Sequence, residues 1–382
     1  MYDTIDNADI CDLISWLGTK PRLTKGALTE KFEKQWSEWL GVKHALYVNS
    51  GSSANLAIIT ALKYSGRLKG DKIIVPAVSW STTVAPVMQL GFTPILCECN
   101  RDDLGLDVNH LESLCAKEKP AALVLVHVLG IPGSIDEILD VCNRHGVLLV
   151  EDSCESVGSR YKGRMTGTFG VASSFSFYFG HHISTIEGGM VCTDDDELND
   201  ILKSIRSHGW DRDLSGDRKK KLRKDHGVSD FRALYTFYWQ GYNLRPTDLQ
   251  ARIGISQMGK IDDICTKRNN NLMIYDRHII NDFWKLPIPD DRFISNFAYP
   301  VITPEFDRLV KSLETHNIET RPLICGSIGR QPFWAKEYGE TKLLFADIVH
   351  ECGLYLPNNH QITEEEILQV CRVVNRAIGS ER

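Results

Sequence analysis

Two adjacent histidines, His181 and His182, follow an apolar run with phenylalanine at every second position (Phe175, Phe177, Phe179) and precede Glu187-Gly188-Gly189. Alternation of this kind reads as a short strand, and the glycine pair lets the chain reverse after the polar turn. A neutral imidazole near pH 7 can act as a general base, so base chemistry is expected in the stretch from Ser173 to Met190. No lysine lies between Lys162 and Lys203, which leaves that stretch without an amine nucleophile. Taken alone, a histidine on an apolar strand and loop is more often a structural hydrogen-bonder than a base.

Other residue types suit an anion and an aromatic ring. Asn49-Ser-Gly-Ser-Ser-Ala-Asn55 lies between an expected strand and an expected helix. Backbone N–H groups and hydroxyls at a helix start hold phosphate, with Ser52 and Ser53 in position, although the motif alone serves equally as an ordinary N-cap. Glu151-Asp152 ends the apolar run VLLV, where wound α/β sheets make their ligand contacts, and a strand-end Asp also serves as a helix cap. Trp80 follows a strand and suits either core packing or ring stacking. Arg321 and Arg330 carry planar guanidinium groups suited to diphosphate, and composition alone makes them surface arginines. Asn243 is a polar residue before a helix. Cys97 and Cys99 would share a face of an alternating strand, a weak metal signal; no metal site is expected.

These residues need a scaffold. The chain has 382 residues, 42% hydrophobic and 25% charged, enough for two soluble domains. A net charge of −6 argues against nucleic acid or an anionic membrane as the main partner. The acidic N-terminus lacks the order of a signal peptide, and the most apolar run, 121–131, is too short to span a bilayer. Eleven scattered cysteines suit a reducing compartment, so a cytoplasmic location is expected. Apolar periodicity predicts a helix over 28–40 ended by Gly41. It then predicts strands at 44–48, 72–76, 93–97, 121–127 and 147–151, alternating with helices at 53–64, 81–90, 107–117 and 134–145. Helices are also expected at 194–207, from Pro246 onward as one long amphipathic element, and at 363–377. The basic run at 218–224 is expected to be a solvated loop.

In order along the chain, these motifs resemble the DegT/DnrJ/EryC1/StrS sugar aminotransferases. The resemblance rests on SGSSAN, the Glu151-Asp152 segment with Gly158 and Gly167-Thr-Phe-Gly170, the Ser173–Met190 loop, Gly241-Tyr-Asn243, and Glu319–Phe333. It implies a fold-type I α/β enzyme that uses pyridoxal 5′-phosphate (PLP). It further implies a large domain over 1–255 on a mixed seven-stranded sheet, with an arm at 1–25, and a smaller α/β domain over 256–382. In that family a lysine forms a Schiff base with PLP. His181 stands in its place here, as in the branch of sugar 3-dehydratases that use pyridoxamine 5′-phosphate (PMP).

The resemblance assigns roles residue by residue. Gly51, Ser52, Ser53 and Ser176 would hold the cofactor phosphate, Trp80 would stack on the ring, and Asp152 would pair with its nitrogen. Glu155, where the family often has Gln, would lie near the ring hydroxyl, and Asn243 would reach the cofactor of a second subunit in a homodimer. His181 would be the base, His182 would orient it or contact the sugar, and Arg321 and Arg330 would bind the substrate diphosphate. The implied reaction removes the C3 hydroxyl of a nucleotide 4-keto-6-deoxy-hexose, GDP-linked 4-keto-6-deoxy-mannose being expected, with glutamate as amino donor. A related branch carries an iron–sulfur cluster, but between the histidines and Gly241 this chain has only Cys192, too few ligands. Two alternatives stay open: a sugar aminotransferase working without the lysine, and a non-catalytic PLP- or sugar-binding protein.

Overall fold

The computed structural model describes residues 3–379. Apolar runs become strands where both faces are covered, and alternate with helices that supply the cover. In chain order the strands are β1 (His44–Val48), β2 (Lys72–Pro76), β3 (Thr93–Cys97), β4 (Ala122–Val126), β5 (Leu148–Asp152), a small hairpin β6 (Arg160–Tyr161) and β7 (Arg164–Met165), β8 (Ala172–Ser176) and β9 (Gly189–Thr193). Seven of them form one sheet in the order β1-β9-β8-β5-β4-β2-β3. β9 runs antiparallel to both neighbours while the other adjacent pairs are parallel, so the sheet is mixed, as expected. Every residue of β4, β8 and β9 is buried.

The helices before and around this sheet are α1 (Asn7–Gly18), α2 (Ala27–Leu40), α3 (Gly51–Tyr64), α4 (Ser81–Gln89), α5 (Val108–Glu118), α6 (Ile135–His145) and α7 (Asp196–Arg206). α2 buries Phe32, Trp36 and Leu40 and stops at Gly41, whose φ of 80° is the left-handed value glycine adopts without steric cost. Its aromatics interlock with the strand that leads to the histidines: Trp36 lies 5.1 Å from Phe175 and 4.8 Å from Phe177, ring centre to ring centre. Among the described residues no helix is long and apolar enough to cross a membrane.

Three sequence expectations are corrected. The basic run is not a loop but part of helix α8 (Gly216–Asp225), capped by Ser215 and burying nothing. Three of its basic residues meet acids: Arg218 pairs with Asp200, Lys221 with Asp225 at 2.8 Å, and Arg223 with Asp211 at 2.7 Å and Asp230 at 2.9 Å. A short helix α9 (Asp230–Ala233) follows. The element after Pro246 is two helices, α10 (Asp248–Met258) and α11 (Ile261–His278), because the chain leaves the helix at Gly259. Cys99 lies beyond the end of β3 and packs in a different apolar cluster from Cys97, so strand alternation does not relate them.

α11 links the two parts of the molecule. Ile261, Ile264 and Cys265 pack with the aromatic cluster beside the large sheet. Leu272, Tyr275 and Ile279 pack in a second core with the helix Glu364–Ile378. Beyond a two-residue strand β10 (Arg292–Phe293), that second core is lined by β11 (Tyr299–Ile302), β12 (Arg321–Pro322) and β13 (Gly353–Leu356), a small sheet in the order β11-β13-β12.

Candidate active site

The start of α3 and the end of β8 form a cradle. The Ser50 hydroxyl caps α3, accepting from the Ser53 N–H at 3.0 Å. The first-turn N–H groups that follow are those a helix leaves without internal partners, and they carry its positive end. Gly51 must be glycine: a Cβ there would lie 2.6 Å from the Cβ of Ser176 and 3.0 Å from the Cys154 sulfur. Ser52 is exposed and its hydroxyl is 2.9 Å from that of Thr82. Gly51, Ser52, Ser53 and Ser176 are therefore brought together. Asn243 is exposed beside this cradle, since the next residue, Leu244, accepts from the Asn49 N–H at 3.1 Å. Its own side chain accepts from Arg245 Nε at 2.9 Å.

The two carboxylates at the end of β5 point to different tasks, as neighbours on a strand must. Glu151 is fully buried and accepts from the N–H groups of Gly167, Phe169 and Gly170 at 2.6–2.7 Å, with His127 Nε2 at 3.0 Å. It organises the 167–170 loop. Asp152 faces α3 and α4: its Oδ2 accepts from Asn55 Nδ2 and from the Thr83 hydroxyl, both at 2.8 Å. Oδ1 accepts the Cys154 N–H at 3.2 Å and retains a lone pair for one more donor. Asn55 is oriented in turn by Ser174, whose hydroxyl donates to its Oδ1 at 2.6 Å. Trp80 directly precedes α4 and is 55% exposed, a large aromatic kept at the surface beside Thr82 and Thr83.

Glu155 accepts from the Leu129 N–H at 2.8 Å. Burial pushes its carboxyl up to about 8, the Leu129 N–H opposing and nearby Asp152 adding. The side chain is thus a neutral acid at pH 7, able to donate as well as accept.

The loop between β8 and β9 carries the histidines. It is held at its base, where the Phe177 N–H donates to the Gly188 carbonyl at 2.9 Å, and by Tyr47, whose hydroxyl donates to Thr185 at 2.7 Å. The His181 ring lies 5.1 Å from that of Phe297, and its buried Nδ1 has no hydrogen-bond partner among the described residues. Burial lowers its pKa to about 4; Arg268 adds to this, and Asp152 and the Cys154 carbonyl oppose it. His181 is therefore a neutral imidazole at pH 7, with Asp152 near enough to act on its charge.

His182 turns the other way. It is fully buried, with Nε2 2.8 Å from the Ser295 carbonyl oxygen, a contact that ties the loop to the segment around residue 295. The two arginines also separate. Arg321 pairs with Glu319 at 2.5 Å and lines a cavity of about 340 Å³ with Gly180, Phe297 and Tyr355, next to the histidine loop. Arg330 is not at this cavity; it is paired with Asp347 at 2.7 Å and Glu340 at 3.3 Å.

Sequence reasoning missed Asn55, Thr83, Ser174 and Arg268. Asn55 stood inside a quoted motif, but its bond to Asp152 spans 97 positions and no local pattern reports it. The residues present fit a phosphorylated aromatic heterocycle. The Gly51–Ser176 cradle leaves helix N–H groups for a phosphate, Asp152 keeps acceptor capacity for a ring N–H, and Trp80 offers a face for stacking.

The chain is 34% identical over 355 residues to GDP-4-keto-6-deoxy-D-mannose 3-dehydratase of Yersinia pseudotuberculosis, covering 90% of this chain and 89% of the relative. It is 34% identical over 352 residues to the protein of that name from Escherichia coli O55:H7, covering 89% of each. Its fold matches a crystal structure of GDP-4-keto-6-deoxymannose-3-dehydratase with a trapped PLP-glutamate geminal diamine, with a TM-score of 0.86, 31% identity and 98% of both chains covered. Residues 4–375 match the model of the DegT/DnrJ/EryC1/StrS aminotransferase family, and the chain belongs to that family.

Proposed function

We propose that this chain is a PLP/PMP-dependent dehydratase that removes the C3 hydroxyl of a nucleotide-linked 4-keto-6-deoxy-hexose. GDP-4-keto-6-deoxy-mannose is the substrate and glutamate the amino donor. The observation that carries the reading is a neutral imidazole, His181, with Asp152 near enough to act on its charge, in a stretch that has no lysine. The names of the two 34% identical relatives support the same substrate class.

The cofactor, when bound, supplies an exchangeable amine and an electron sink. Gly51, Ser52, Ser53 and Ser176 hold its phosphate at the start of α3, where the helix dipole favours the anion. Asp152, fixed by Asn55 and Thr83, keeps the ring nitrogen protonated through charge and a hydrogen bond. Trp80 covers one face of the ring, and Glu155, as a neutral acid, meets the ring hydroxyl. His181 moves the proton at C4′ and, unlike lysine, holds no covalent link to the cofactor. Arg321 and the cavity beside Gly180 receive the nucleotide end of the substrate. Asn243 serves the cofactor of a second subunit, which makes the working form a homodimer, and the enzyme acts in the cytoplasm.

The test is mass spectrometry of reactions containing PLP, glutamate and a panel of 4-keto-6-deoxy nucleotide sugars. The expected product is lighter by one oxygen, with ammonia released. A product in which the C4 carbonyl oxygen has become an amine, with C3 intact, would establish aminotransfer instead, the reading that the family's aminotransferase description favours. No turnover of any sugar despite bound cofactor would establish a binding role.

A further inference from the structure

α11 sends one side chain, Arg268, under the histidine loop. It is 2% exposed, and among the described residues no carboxylate pairs with it. Its terminal nitrogens meet only backbone carbonyls: NH1 donates to Asn358 O at 2.5 Å, Phe297 O at 2.9 Å and Asn296 O at 3.3 Å, NH2 reaches the carbonyl of His181 at 3.4 Å, and Nε has no hydrogen-bond partner among the described residues. A buried arginine usually has an acid partner, because desolvating an unpaired charge is costly. Carbonyl dipoles meet its N–H groups without cancelling its net charge, as a carboxylate would.

We propose, resting on the reading of His181 as the base, that Arg268 is a positioning residue: it fixes the loop main chain at His181 and sets an uncancelled positive charge beside an imidazole that burial already disfavours charging. Burial lowers the arginine itself to about 10, so it stays charged at pH 7. The groups facing the imidazole come from three places. Asp152 lies at the end of β5 with Cys154 and, beyond it, Glu155; Arg268 comes from α11; Tyr178 and His182 lie on the loop itself. Asp152 favours the imidazolium and Arg268 opposes it. The arginine thereby lets a carboxylate sit near the base without protonating it.

The test compares wild type with Arg268→Gln, which keeps N–H donors but removes the charge, and with Arg268→Lys, which keeps the charge. Ring nitrogens of ¹⁵N-histidine-labelled protein are titrated by NMR with and without PLP, the resonance of residue 181 being assigned by its loss in His181→Asn. Solvent-deuterium exchange at C4′ is followed across pH in the same proteins. In wild type the imidazole should stay neutral at pH 6. Arg268→Gln should raise its midpoint by about one unit, which is about a tenfold loss of exchange on the acid side with an unchanged alkaline plateau. Arg268→Lys should leave the midpoint in place. A midpoint unmoved in Arg268→Gln, with exchange lowered evenly at all pH values, would make the arginine merely structural. If that variant does not fold, wild type still decides: an imidazolium at position 181 at pH 6.5 overturns the proposal. Undiminished exchange in His181→Asn would instead sink the base assignment.

Discussion

Gly51 and Ser176 are packed so closely that a Cβ on residue 51 would sit 2.6 Å from that of Ser176, well inside contact distance. The contact joins the start of α3 to the end of β8 and sets the width of the cradle proposed to take the cofactor phosphate. Gly51→Ala must push the two apart, and overpacking of this kind costs about 1–3 kcal/mol. Cofactor affinity should fall by about tenfold or more while the far-ultraviolet circular dichroism is retained. Spectroscopic titration with PLP checks this, and an unchanged Kd would mean that the phosphate sits elsewhere.

Replacing His181 by asparagine keeps a polar side chain but no base. General-base contributions of about 10²–10⁴-fold set the scale of loss expected in deuterium exchange at C4′. Cofactor binding, which depends on the cradle and Asp152, should persist.

His181→Lys restores an amine where the family has one. After addition of PLP and borohydride, the protein mass should rise by one pyridoxyl phosphate, and peptide mapping should locate it at position 181. If the adduct maps to another lysine, or none forms, the loop is not where the ring's reactive carbon lies.

Glu155→Gln should be mild. The carboxyl is already neutral at pH 7, so the amide preserves its charge state and can still accept from Leu129. For an acid whose folded pKa is raised, stability falls as pH rises from the unfolded value of about 4.5 toward 8. Wild type should therefore lose more stability than Glu155→Gln between pH 6 and 8.5 in urea titrations, and equal losses would argue against a neutral Glu155.

His181 acts with the opposite sign. Its folded pKa of about 4 lies below the unfolded value of 6.5, so its contribution is complete above pH 6.5 and is lost as pH falls toward 4. From pH 7.5 to 5 wild type should lose about 2 kcal/mol more than His181→Asn. Parallel loss in both proteins would place the acid sensitivity elsewhere, His182 being the next candidate.

Much of the large sheet could be read in advance. β1, β2 and β3 fall where predicted: β2 carries the unbroken apolar run of a strand covered on both faces, and the edge strands β1 and β3 are short, partly apolar runs set between helices. The strand-to-helix turn at Gly51, Ser52 and Ser53 was also legible, since these residues are neighbours in sequence. What stayed hidden depends on distant partners. α8 buries nothing, and three of its basic residues find their acids at Asp200, Asp211, Asp225 and Asp230, so local hydrophobic periodicity had nothing to report. His182 differs from His181 by one position, and only the location of Ser295 decides which of the two is anchored. Arg268, 87 positions from His181, gave no sign in the sequence of the carbonyls it would meet.

The histidine loop joins β8 to β9, strands that lie side by side and antiparallel, and the Phe177–Gly188 hydrogen bond closes its neck. The fold therefore treats residue 181 as a tool held in a chuck. The aromatic cluster, the sheet and the cradle grip the shank, and little of that grip depends on which side chain is fitted at the tip. A scaffold so arranged tolerates exchange of the side chain at position 181 without disturbing the frame that holds it, and the cavity wall around Arg321, on a different sheet, can vary independently.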